Sequence, residues 1–229
     1  MREDPASRKA FLRMVGGGGA AALATLLAAC GDDDEATSSQ PSTSAAPQAQ
    51  GSSGASGASG GGGDLEIVNY ALTLEYLEAD FYMQVIDSGQ VKDAAVVELA
   101  KKFGQTEQEH VEALMGTAKM LGTPAEKPQT NFDAVLEGGP EMILKVASTV
   151  ENLGAAAYLG QAGRIESKEI LAAALSIHTV EARHAAALNQ LAGRGFMGDG
   201  PLDGSIPDGP FAKPMDMQAV LAAVQPYLA

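Results

Sequence analysis

Residues 107–114 read Glu-Gln-Glu-His-Val-Glu-Ala-Leu, and residues 181–188 read Glu-Ala-Arg-His-Ala-Ala-Ala-Leu. Each is a Glu-x-x-His followed by three residues and a leucine, set in a run whose apolar residues recur at helical spacing. Positions three apart share one face of a helix, so Glu107 meets His110 and Glu181 meets His184. That face is otherwise apolar. Val97, Ala100, Phe103, Leu114 and Leu121 flank the first pair, and Ile170, Ala174, Ile177 and Leu188 flank the second. Charged side chains do not belong on a core stripe unless something there neutralises them.

Working outward, Glu75 and Glu151 precede the two pairs by 32 and 30 residues. Glu75-Tyr76-Leu77-Glu78-Ala79-Asp80-Phe81-Tyr82 echoes Glu151-Asn152-Leu153-Gly154-Ala155-Ala156-Ala157-Tyr158, so the chain carries an internal repeat. Four helices follow from the periodicity, over 65–88, 93–121, 140–162 and 167–192. Asp64, Asp93 and Ser167 are the expected N-caps, Pro140 stands at a first helical position, and Gly89, Gly122 and Gly193 are the expected stops. Short links join the first helix to the second and the third to the fourth, predicting two antiparallel hairpins. The link 123–139 is long enough to cross the length of a bundle, at about 3.3 Å per residue. The fold class expected is therefore all-α, a four-helix bundle over 64–193. A Gly/Pro-rich extension over 194–229, with a short amphipathic stretch near 215–228, should pack on its outside.

Composition narrows the alternatives. A net charge of −14 argues against a nucleic-acid partner. Only 5% of residues are aromatic and none is Trp, which disfavours an all-β sandwich. One cysteine excludes an intramolecular disulfide and any cysteine-rich metal site.

Two hairpins that each contribute one Glu and one Glu-x-x-His would assemble six ligands: Glu75, Glu107, His110, Glu151, Glu181 and His184. Four buried carboxylates are untenable alone, whereas two divalent cations make the set neutral. Oxygen and imidazole donors suit iron or manganese, and zinc less well. Glu78 is a rival to Glu75 on the first helix, as a ligand or a partner for a histidine; Glu75 is preferred because it alone matches Glu151 in the repeat. Tyr82 and Tyr158 lie on the same stripes and read first as core aromatics, with a hydrogen bond to a ligand carboxylate as the alternative. His178, about 120° from the His184 direction, reads as a surface or supporting residue, and Glu109 and Glu112 as solvated.

With these residues in place, the chain resembles the ferritin-like superfamily of di-iron or di-manganese carboxylate bundles, whose ligand set is one Glu from each of two helices and a Glu-x-x-His from each of the others. The run 71–82, Ala-Leu-Thr-Leu-Glu-Tyr-Leu-Glu-Ala-Asp-Phe-Tyr, and Phe211-Ala212-Lys213-Pro214 are similar to an exported bacterial branch of that superfamily. Members of that branch often carry twin-arginine or lipoprotein signals.

The first residues fit such an address. Arg8, Lys9 and Arg13 precede an apolar stretch, 14–29, that ends at Leu27-Ala28-Ala29-Cys30, which resembles a lipobox. Ser7-Arg8-Lys9-Ala10-Phe11-Leu12-Arg13 resembles a twin-arginine signal with Lys9 in place of the second Arg. Residues 1–29 are thus expected to be an export signal and Cys30 a lipidated anchor to the outer face of the cell membrane. Residues 30–63, without Leu, Ile, Val or Phe, are expected to be a disordered linker. The function expected is redox chemistry at a dinuclear centre, with O2, peroxide or ferrous iron as substrate. A metal-stabilised envelope or stress-protection module without turnover is the alternative. Iron storage fits less well, because a mineral cage requires close subunit packing that a long leash and tail would hinder. A homo-oligomer is compatible with all three.

Overall fold

Asp93 and Ser167 start their helices as expected. The Asp93 carboxylate accepts hydrogen bonds from the Ala95 and Val96 amides, and the Ser167 hydroxyl accepts one from Ile170. These caps satisfy amide groups that the first helical turn leaves without partners. The computed structural model describes residues 60–196, 204–206 and 209–229; the expected export signal, Cys30 and the linker as far as residue 59 lie outside them. The described helices are α1 (Gly60–Ser88), α2 (Ala94–Leu121), α3 (Asp133–Glu137), α4 (Gly139–Gln161), α5 (Lys168–Leu191) and α6 (Met217–Val224). Short 3₁₀ turns follow α4 and α6. The described residues hold no strand, only one isolated bridge between Thr130 and Leu228, and no helix long and apolar enough to cross a membrane.

The all-α reading holds: α1 pairs with α2 and α4 with α5 as two hairpins packed into a four-helix bundle. Two details differ from expectation. α1 begins at Gly60, so the last four residues assigned to the linker are helical and Asp64 is not the cap. The Asp64 carboxylate is engaged elsewhere, accepting from the Glu166 and Ser167 amides and so tying the α4–α5 turn to α1. The crossover, read as plain connection, also contains α3.

That crossover travels the length of α1. Asn69 holds its start through Thr123 and Ala125. Asp80 receives Lys127 and, at 2.9 Å, the Thr130 hydroxyl, and Gln84 reaches Thr130. The C-terminal segment then pins the crossover. Asn131 donates to the Tyr227 carbonyl and Ala229 to the Gln129 carbonyl, while Tyr227 stacks on Phe132. α6 buries Val220 and Val224 in the same apolar cluster as Phe81, Phe103, Val150 and Leu188. A second cluster, built on Val68, Leu72, Leu114, Tyr158 and Ile177, fills the other end of the bundle. Enclosed by partners, crossover and tail, α1 is buried nearly all round, so Leu74, Leu77, Glu78 and Phe81 all join its core.

Candidate metal centre

Between the two apolar clusters lie the acidic residues. Glu75 comes from α1, Glu107 and His110 from α2, Glu151 from α4, and Glu181 and His184 from α5. The four carboxylates are completely buried and the imidazoles nearly so. The structure brings all six together in two overlapping groups, Glu75–Glu107–His110–Glu181 and Glu107–Glu151–Glu181–His184. Within each, one ligand atom per residue lies within 4.8 Å of the others. Glu107 and Glu181 belong to both groups, so the two Glu-x-x-His pairs supply the shared carboxylates, and Glu75 and Glu151 stand at the two flanks.

Both histidines turn Nδ1 toward the acids. His110 Nδ1 lies 2.8 Å from Glu107 and 3.1 Å from each of Glu75 and Glu181. His184 Nδ1 lies 2.8 Å from Glu107 and 3.2 Å from Glu151. One ring nitrogen carries at most one hydrogen, so it cannot satisfy three oxygens. Glu107 Oε1 and Glu181 Oε1 come within ion-pair distance of an imidazole but outside hydrogen-bond geometry, and Glu181 Oε2 has no hydrogen-bond partner at all. Buried oxygens without donors, converging with imidazole nitrogens, form the donor set of a hard-to-borderline divalent cation. The residues present therefore fit metal binding.

Without such a cation the electrostatics are severe. Burial, with repulsion from Glu151, pushes Glu107 up to about 7. Burial and the charges of Glu107, Glu75 and Glu151 hold Glu181 well above the usual carboxylate range. Burial alone would lower His184, but its close contacts with the Glu107 and Glu151 carboxylates outweigh it and raise the imidazole to about 9. His110 is raised further, because Glu75, Glu107 and Glu181 together overcome its burial.

The tyrosines do more than pack. Tyr82 of α1 donates its hydroxyl to Glu151 of α4, and Tyr158 of α4 donates to Glu75 of α1 at 2.5 Å. Each hairpin thus orients the flank carboxylate of the other, so the first reading of these residues as plain core aromatics is corrected. Both phenols are raised well above their ordinary value, by burial first and then by the carboxylate each one faces.

Glu78 also lies at the site. It is 2% exposed, its Oε2 has no hydrogen-bond partner, and burial followed by the charge of Glu181 raises it strongly. Its counterpart in the repeat is Gly154, and a side chain there would meet Glu78 Oε1 at 3.0 Å and Glu181 Oε2 at 3.1 Å. The space that symmetry would give a second such residue is thus taken by Glu78 reaching across. Glu78 is outside both four-residue groups, which leaves Glu75 as the α1 member. His178 bonds the Ala155 carbonyl through Nδ1, 2.9 Å, away from the acids. Glu112 is exposed and Glu109 partly so, the latter receiving Gln105.

A family model described as Ferritin-like domain matches residues 63–194, more than half of the chain. No curated protein matches the chain.

Proposed function

The chain belongs to the ferritin-like family, and from that premise we propose that it is an extracytoplasmic dinuclear iron or manganese carboxylate protein that carries out redox chemistry with O2 or peroxide. The observation that carries this reading is the sharing of Glu107 and Glu181 between two buried donor groups, which suits a pair of cations better than a single one. Bound as a reduced pair, two such ions supply two electrons, the number that takes peroxide to water or O2 to peroxide.

The chain's own groups support that chemistry. Glu107 and Glu181 would bridge, while Glu75 with His110 and Glu151 with His184 would complete each side. Tyr158 and Tyr82 fix the two flank carboxylates so that their free oxygens face inward. Glu78 lies beside Glu181, where burial and the charge of Glu181 favour its protonated form in the metal-free chain. Complete burial keeps bulk water away from reactive species.

Metal analysis of the purified chain, joined to peroxide consumption and to O2 consumption with ferrous ion, tests the proposal. About two iron or manganese ions per chain, with turnover abolished by Glu107→Ala plus His184→Ala, is the expected result. Metal binding that stabilises the fold without any turnover selects the non-catalytic module instead. Absence of both metals removes the redox reading. Anchoring through Cys30 is a separate proposal, supported by the lipobox-like run that ends there. Incorporation of labelled palmitate, lost in Cys30→Ser, is the expected outcome.

A further inference from the structure

One helical turn beyond the ligands, at the end where His184 lies, all four long helices contribute to a single layer: Tyr82, Phe103, Ala147 and Leu188. Phe103 stands four residues before Glu107, Ala147 four before Glu151, and Leu188 four after His184. This layer is the floor of a cleft of about 340 Å³ that opens where the α1–α2 turn faces Pro140 at the start of α4. Its volume falls in the range of small-molecule sites, roughly 300–1,000 Å³. Two floor residues touch the ligands themselves: the Tyr82 hydroxyl donates to Glu151, and the Phe103 ring stacks on His184 with centroids 3.8 Å apart. An occupant of the cleft is therefore separated from the acidic centre by the thickness of one ring.

The walls, including Val85, Val96, Leu99 and Ile143, offer carbon to the occupant. The only charged lining residues are Lys92 and Asp93, in the turn at the rim. Asp93 is engaged as the cap of α2 through Oδ1, at 2.9 Å from Ala95 N and 3.0 Å from Val96 N. Lys92 is exposed and makes no ion pair among the described interactions. This leaves an apolar slot whose mouth carries a cation, Lys92, and beside it an acid, Asp93, held by the α2 amides. Water gains little in such a slot, whereas an alkyl chain removes apolar surface from solvent.

We propose that the cleft binds a medium-length, straight-chain aliphatic carboxylate, its chain against Phe103 and Leu188 and its carboxylate at Lys92. The inference stands apart from the reading of the acidic cluster as a redox centre, because binding itself requires no metal.

Decanoate titrated calorimetrically into the full-length chain, metal-free and iron-loaded, in detergent-free buffer, is the test. Binding below about 1 mM is expected in both forms. Val96→Trp, which fills the slot, weakens it by about tenfold or more. Lys92→Gln, on the surface and safe for folding, weakens decanoate by about threefold and leaves decan-1-ol unchanged. Failure of decanoate to bind overturns the proposal. So does equal affinity in wild type and both variants. Iron uptake without decanoate binding removes this proposal and leaves the redox reading intact. Decanoate binding without iron or manganese uptake keeps the pocket and removes the redox centre beside it.

Discussion

The two halves of the acidic centre descend from one repeated pattern, yet their surroundings differ. On the first side, His110 faces three carboxylates, Glu75, Glu107 and Glu181. On the second, His184 faces two, Glu107 and Glu151, and lies under the Phe103 ring. The residue that matches Phe103 in the repeat is Ile177, packed in the opposite apolar cluster. Glu78 is matched by Gly154, so the extra carboxyl comes from the first hairpin alone. The six acidic and imidazole positions are thus kept symmetric while charge and packing are not, giving the centre two electrically unequal halves.

The comparison breaks most completely at the shared residues. Glu107→Ala should abolish binding at both positions, whereas Glu151→Ala should retain the metal held by Glu75 and His110. Metal-to-protein ratios from elemental analysis distinguish the two, and equal losses would show that the halves do not act as separable positions.

Next in size is the pH response of the metal-free chain. Glu107 (folded value about 7, ordinary value 4.5) and the more strongly raised Glu78 and Glu181 keep protons that the unfolded chain has released. Such groups contribute stability fully below the unfolded value and lose it as pH rises through the folded one. His184 acts in the same direction, its contribution complete below 6.5 and lost as pH rises through about 9. Melting temperature without metal should therefore fall between about pH 5 and pH 9, and saturating manganese should flatten that slope. A metal-free melting temperature that rises over this interval contradicts the assignment.

Glu78→Gln sharpens the asymmetry. Removing the one acid that has no repeat partner should raise the metal-free melting temperature at pH 8 by several degrees, about 1–2 kcal/mol, while leaving a full complement of metal. Loss of one metal equivalent would instead make Glu78 a ligand. Effects of similar size and opposite sign are expected from the crossed phenols. Tyr82→Phe and Tyr158→Phe should each cost about 1–2 kcal/mol in denaturant unfolding. Their combined effect should be close to the sum of the two, since the bonds sit on opposite flanks.

The convergence of the six acidic and imidazole residues was readable in the chain because a helix converts spacing directly into direction. Glu107 and His110 share a face by geometry alone, and the repeat assigns the same face to Glu181 and His184. Glu78 was harder to place. Its angle puts it beside the stripe, and only the crossover and tail wrapped around α1 turn that flank into interior. The crossed tyrosine bonds were equally hidden, since they depend on which helix lies diagonal to which. Asp64 illustrates local chemistry overridden by tertiary contact: a good cap by type, it is drawn instead to two amides about a hundred residues downstream.

The strap along α1 also orders assembly. Its clasp is formed by Tyr227 and Ala229, far downstream in the chain from Asn131 and Gln129, which they hold. Both hairpins can zip as they emerge, but the belt that covers Asp80 and Phe81 fastens only after residues 227–229 have emerged. Replacing Tyr227 would loosen that buckle at its stacking on Phe132, whereas an insertion at the exposed α1–α2 turn would leave it closed.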